Sequence, residues 1–420
     1  MTLRKMPGIT MRADRHRNRP DSPDLRQCSP VKGPLQMRKS LVCLSPRCST
    51  LRDSWPVPEG LGCCLHHFRW NTALNQSALP EFTDPLLDRA MGALVGGALG
   101  DALGMPTQCL SADEIRRSYG HVEDFVAPFA DHPVSRGQPA GMITDDTEQT
   151  LLLGAQLLQT PTAFDHRAWV ERLLDWETDV KARGSYDLLG PSTKRAIDLI
   201  RAGVPPEETG REGATNGAAM RIAPVGIMTP ANPLEGLVAR VQETCMATHA
   251  TTIAIASASA VAAAISSALD GASWEEAAYQ GVAAARAARE VGVWYAGPDI
   301  AARIEWARDL VAGKNEDAAL KAITQLIGTS VLAQESIPAA FAVVVAAKGD
   351  PLRAAVLAAN LGGDTDTIGA IATGMAGAVC GFSNLPKDRI AKVKGLDLAA
   401  VDALARGLVA LRRDAAQGAV

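Results

Sequence analysis

Residues 360–381 read NLGGDTDTIGAIATGMAGAVCG, and the reading of this stretch decides the fold. After a Gly-Gly pair come Asp364, Thr365, Asp366 and Thr367, and then an apolar run in which Gly369, Thr373, Gly377 and Gly381 recur every fourth residue. Positions i and i+4 share one side of a helix, so the run predicts a helix with a stripe of small residues along one face. The segment 92–108, GALVGGALGDALGMPTQ, carries a matching stripe at Gly92, Gly96, Gly100 and Gly104. Glycine costs about 1 kcal/mol per helical position relative to alanine, so repeated use of it points to close backbone approach.

Most of the chain beyond residue 84 reads in the same helical way. TEQTLLLGAQLLQ, AWVERLLDWETDVKA, STKRAIDLIRAG, TIAIASASAVAAAISSAL and DPLRAAVLAAN are rich in alanine, leucine, glutamate and lysine and are separated by glycine-bearing loops. Asp84 is a plausible N-cap, with Pro85 suited to the first helical position. Strand-like alternation is scarce, and FAVVVAA at 341–347 is the strong ambiguity. The expectation is an all-α fold, with one helical domain over 82–415.

Residues 1–81 differ in kind. Residues 1–80 hold 13 Lys/Arg against 5 Asp/Glu and nine of the 25 prolines, with no sustained hydrophobic period, and read as a basic, disordered extension. Five of the eight cysteines fall there, but CLSPRCST and CCLHHF match no two-pair zinc spacing. The three thiols left for the body, Cys109, Cys245 and Cys380, suggest a reducing compartment, so a cytoplasmic address is the default. With the extension at +8 and the whole chain at −4, the body carries −12, which disfavours a nucleic-acid binder. No uninterrupted apolar stretch of membrane-spanning length is present, so no membrane span is expected. The partner expected is a small molecule or a modified protein; oligomeric state is not legible.

The acidic stretch itself allows several chemistries. A phosphatase nucleophile loop needs a hydrophobic strand before it, whereas AVLAANLGG precedes this one. An EF-hand count from Asp364 places Ile368 and Met375 at the fifth and twelfth positions, where neither side chain can hold calcium. A second cluster, GMITDDTEQT at 141–150, sets Thr144, Asp145, Asp146 and Thr147 before another helical run. Taken singly, each cluster could be no more than a helix cap. Four carboxylates brought together would repel unless cations stood between them, and Asp and Thr oxygens suit Mg²⁺ or Mn²⁺. A two-metal oxygen-ligand site is therefore the expectation.

Five segments in order, GALVGGALGDALGMPTQ, GMITDDTEQT, GATNGAAMRIAPVG, ATHAT and NLGGDTDTIGAIATGMAGAVCG, resemble the ADP-ribosylglycohydrolase family, which includes the dinitrogenase-reductase-activating glycohydrolases. The resemblance spans residues 86–395 and implies a compact all-α domain with a binuclear Mg²⁺ or Mn²⁺ cleft. It implies Thr144, Asp145, Asp146, Asp364, Asp366 and Thr367 as metal ligands, with Asp366 bridging. Asp146 is the candidate for orienting the attacking water, with Asp145 and Asp366 as the other catalytic carboxylates. Asn216, Gly217 and Arg221 would lie near ribose and phosphate, His249 near the substrate, and Gly362 and Gly363 would let backbone approach the ligand. Asp101 is expected to hold the loop of the first cluster. Trp176, Trp294 and Tyr295 are aromatic residues that could line a leaving-group pocket or pack in the core.

Several family members carry a glutamate where this chain has Gln108, and an amide can be neither a general base nor a negative charge. Gln108 is still expected to contact substrate through a hydrogen bond. The activity implied is hydrolysis of a ribosyl glycosidic bond, that of an ADP-ribosyl hydrolase. The alternatives are a nucleoside N-ribohydrolase with the same metals and a non-catalytic protein that binds metal or ADP-ribose.

Overall fold

The computed structural model describes residues 80–184 and 190–418; the extension expected over 1–81, with its Cys and His clusters, lies outside the described residues apart from its last two positions. In chain order the main helices are α1 Pro85–Gly104, α2 Ala112–Tyr119, α3 Asp145–Gln159, α4 His166–Ala182, α5 Pro191–Arg201, α6 Leu234–Cys245, α7 Thr252–Leu269, α8 Trp274–Ala287, α9 Ile300–Val311, α10 Ala333–Ala347, α11 Pro351–Ala359, α12 Thr365–Cys380 and α13 Leu398–Ala416. Among the described residues there is no strand, only isolated bridges such as Ser111 with Gly362 and Thr215 with Leu332. The fold is all-α.

The two glycine stripes pack against each other. α1 and α12 run antiparallel, with Gly92 against Gly377, Gly96 against Thr373, Gly100 against Gly369 and Gly104 against Thr365 and Asp366. A Cβ on Gly96 would lie 2.6 Å from the Thr373 carbonyl oxygen, and one on Gly369 would lie 2.6 Å from that of Gly100. Only residues without side chains allow this separation, because real Cβ atoms do not come so near an oxygen. The seam brings the C-terminal end of α1 to the first turn of α12. There Thr365 Oγ1 donates to the Gly104 carbonyl at 2.9 Å, so this threonine ties the helices together.

α7 runs through the middle of the core. With a mean hydropathy of 1.8 over 18 residues it has the length and composition to cross a membrane, yet 94% of it is buried inside the fold. Its alanine and serine content follows from its neighbours, since α6, α8 and α12 all pack on it. The ambiguous stretch 341–347 is the C-terminal half of α10, and Phe341, Ala342 and Val343 are fully buried there. Enclosure, not sheet pairing, explains its run of β-branched residues. Pro338 inside α10 cannot donate to the Gln334 carbonyl; Arg303 Nε reaches that oxygen at 3.4 Å instead.

The seam makes a sharp prediction. Gly96→Ala, forced into the Thr373 carbonyl, should lower unfolding stability by about 1–3 kcal/mol. Gly97→Ala, whose Cβ would sit 3.5 Å from the Ala370 oxygen, should be neutral or stabilising by up to about 1 kcal/mol. Urea unfolding of both variants tests this, and equal effects would contradict the packing argument.

Candidate active site

Both acidic clusters sit at helix starts, and capping takes only Thr144 and one oxygen of Asp366, whose Oδ1 accepts from Thr367 N at 3.0 Å. Asp101, in the last turn of α1, is fully buried and accepts from Thr144 N at 2.9 Å, Thr144 Oγ1 at 2.8 Å, Thr147 N at 3.2 Å and Thr147 Oγ1. It thus satisfies donors at the start of α3 from outside that helix, a task usually left to the helix's own first residues. Thr144 is the N-cap, which leaves Asp145 and Asp146 free of that role. At α12, Asp364 occupies the N-cap position without a side-chain cap bond, and its Oδ2 accepts from Asn216 Nδ2. Simple capping does not account for these carboxylates.

The seam and Asp101 together bring the two turns to one cleft of about 250 Å³. Its lining includes Gln108, Asp145, Asp146, Asn216, Gly217, Asp364, Asp366 and Thr367, as well as Thr193, Thr215 and Val331. Asp145, Asp146 and Asp366 are buried, and burial first, then repulsion from neighbouring carboxylates with Asp101 and Asp364 among them in each case, holds their carboxyls well above the usual carboxylate range. Burial likewise pushes Asp101 and Asp364 up to about 6, against the opposing hydrogen bonds from Thr147 and Thr144 to the first and from Asn216 to the second. Asp146 Oδ1 is buried with no hydrogen-bond partner among the described residues. An orphaned carboxylate oxygen of this kind needs a proton, a water or a cation.

Other expected residues fall behind the cleft wall. Arg221 is 1% exposed, donates to Gln149 Oε1 at 2.8 Å and Thr248 Oγ1 at 2.6 Å, and lies over the Trp169 ring at 5.2 Å. Gln149 in turn approaches Asp145 Oδ2 at 3.4 Å, so the guanidinium supports the acidic turn from the rear. His249 is fully buried between Thr215 Oγ1 at 3.0 Å and Thr248 Oγ1 at 2.8 Å. Burial and then Arg221 keep its pKa well below the usual histidine value. It lies directly under Gly217, where a Cβ would meet its ring at 2.8 Å. Neither side chain reaches the cleft surface.

The paired glycines also serve a purpose different from that expected. Gly362 and Gly363 both have positive φ, 81° and 79°. Their close neighbours are protein backbone, with Ala112 N beside Gly362 and the Thr329 carbonyl beside Gly363. They therefore anchor the acidic turn to two other segments. Thr144 is held by Asp101 at the edge of the site, its Oγ1 3.2 Å from Asp146 Oδ2. Trp176 is buried and donates to Glu148 at 2.6 Å, Trp294 is 79% exposed, and neither they nor Tyr295 line the cleft. The roles of Gln149 and Ser135, which holds Gln108 at 2.9 Å, are not apparent in the sequence motifs, although Gln149 lies one turn after Asp145.

A family model described as ADP-ribosylglycohydrolase matches residues 83–418. The chain belongs to the ADP-ribosylglycohydrolase family. It is 36% identical over 297 residues to the uncharacterized protein YegU of Escherichia coli (strain K12), covering 70% of this chain and 89% of that one. It is 29% identical to the ADP-ribosylarginine hydrolase Tri1 of Pseudomonas putida (strain GB-1), over 77% of this chain and 78% of the relative. A solved structure titled "ADP-ribosylglycohydrolase-related protein complex" covers 79% of this chain and 100% of its own, with a TM-score of 0.54 at 26% identity. The carboxylate-lined cleft thus belongs to a glycohydrolase fold.

The raised carboxyls of this glycohydrolase fix the sign of a pH effect. A carboxyl at about 6 when folded and about 3.9 when unfolded contributes stability that is complete below the lower value and lost as pH rises through the upper one. In chelator-treated protein, Asp364→Asn should therefore gain urea resistance relative to wild type as pH rises from about 4 to about 7. A wild-type minus variant difference that is flat across this window would contradict the burial argument.

Proposed function

We propose that the protein is a divalent-cation-dependent hydrolase that releases ADP-ribose from an ADP-ribosylated protein side chain. The observation that carries this reading is the convergence of Asp145, Asp146, Asp364 and Asp366 on one cleft, with Asp146 Oδ1 buried and unpartnered among the described residues. Family membership supports the bond type, and relatives named ADP-ribosylarginine hydrolase and, over 35% of this chain, ADP-ribosyl-[dinitrogen reductase] glycohydrolase of Rhodospirillum rubrum support the substrate class.

As the side chains stand, no group of three carboxylate, imidazole or thiolate side chains among the described residues is arranged to hold a metal ion. The chemistry of the donor set nevertheless fits two Mg²⁺ or Mn²⁺ ions: every candidate ligand is a hard oxygen, and crowded buried carboxylates need compensating positive charge. Asp145 and Asp146, with Thr144 beside them, would hold the pair from one turn; Asp364, Asp366 and Thr367 would do so from the other. When bound, such ions supply Lewis acidity that makes water nucleophilic near neutral pH and affinity for ribose hydroxyls.

The chain's own groups divide the remaining work. Asp146 would orient the attacking water and accept its proton, its buried Oδ1 having no hydrogen-bond partner among the described residues. Asp145 and Asp366 supply negative charge near ribose C1, where positive charge develops as the glycosidic bond breaks. Asn216 fixes the Asp364 carboxylate, and Asp101 keeps the α3 turn in register with it.

The test is a hydrolysis screen with arginine- and serine-ADP-ribosylated peptides and free nucleosides, each with Mg²⁺, Mn²⁺ or chelator. Chelator-sensitive release of ADP-ribose is expected, and Asp364→Asn or Asp366→Asn should reduce it by about 100-fold or more. Full activity in chelator, or in those variants, would overturn the metal assignment. Ribose release from a nucleoside with the peptides untouched would make the protein a nucleoside N-ribohydrolase instead.

A further inference from the structure

We propose that Gln108 is a specificity-determining residue: Ser135 fixes its amide so that Oε1 presents a neutral hydrogen-bond acceptor to a hydroxyl or N–H of the ligand in the cleft. This rests on the glycohydrolase reading above and adds a ligand contact to it.

The orientation follows from counting protons. Ser135 Oγ has one proton and donates it to the Met105 carbonyl at 3.0 Å. What remains on that oxygen are lone pairs, so the group 2.9 Å away must be a donor, and Gln108 Nε2 is that donor. Ser135 is itself held in place, because its backbone N–H and that of Val134 donate to His132 Nδ1 at 2.9 and 3.2 Å. His132 and Ser135 are at most 1% exposed, so the arrangement is shielded from competing water.

With one Nε2 proton given to Ser135, the amide is fixed in orientation and its other end faces the ligand as an acceptor. Gln108 lines the cleft with Asp145 and Asp366, and its Oε1 accepts from no donor among the described residues. A carboxylate at 108 would add charge beside carboxyls that already repel one another, whereas the amide adds none. The amide therefore offers the ligand an uncharged acceptor at this place in the cleft.

Calorimetric titration of ADP-ribose into the full chain with Mg²⁺ present tests this on wild type, Gln108→Leu, Ser135→Ala, the double variant and Gln108→Glu. Circular dichroism melting establishes that each is folded. Gln108→Leu should raise Kd about tenfold and Ser135→Ala about threefold or more, the scale of one lost hydrogen bond. Because Ser135 acts only through Gln108, the double variant should bind no more weakly than Gln108→Leu. An unchanged Kd in Ser135→Ala, losses that multiply in the double variant, or tighter binding by Gln108→Glu would each overturn the proposal. Wild type that neither binds ADP-ribose nor hydrolyses an ADP-ribosylated peptide would instead sink the glycohydrolase reading, and this inference with it.

Discussion

The close contact between α1 and α12 is the constraint on which the site depends. Glycine on both faces lets two helix backbones meet where side chains would hold them apart, with Gly100 against Gly369 and Gly104 against Thr365 and Asp366. This contact sets the end of one helix beside the beginning of the other. Asp101, one turn from the end of α1, then gathers the first turn of α3 to the same place through Thr144 and Thr147. Acidic turns separated by more than two hundred residues thus become neighbours through one backbone seam and one buried carboxylate.

Concentrating charge in this way is costly, and the structure shows how the cost is distributed. Helix first turns offer unpaired N–H groups and a partial positive charge, which favour carboxylates there. Asn216 adds a donor to Asp364, and the buried Arg221 stands behind Asp145 through Gln149. These supports do not bring the carboxyls back to the ordinary range, since Asp145, Asp146 and Asp366 remain raised. Carboxyls raised in this way suit the cation-dependent glycoside hydrolysis proposed above.

Much of this was legible in the sequence because the signals are periodic or local. The glycine stripes have the period of a helix, and both acidic clusters precede helical runs, so the helices and their first turns could be placed. Asp101 was identifiable as a residue that holds the α3 turn. What could not be read is which side of a wall a residue faces. Arg221 and His249 lie in motifs beside cleft residues, yet their side chains turn inward to Gln149, Thr248 and Thr215. Gly362 and Gly363 have the expected freedom of backbone, but it is used against Ala112 and Thr329 rather than toward the cleft. Side-chain direction depends on tertiary neighbours that a linear motif does not specify, and so did the misleading strand-like appearance of Phe341–Ala347.

The most direct test of the account is a crystal soaked in Mn²⁺ and measured for anomalous scattering at the manganese edge. The account predicts two strong peaks between the α3 and α12 turns, each in contact with carboxylate oxygens from that cluster, with Asp146 among the ligands. No peak in the cleft, or a peak held by one turn alone, would contradict the proposed cation site shared by the two turns.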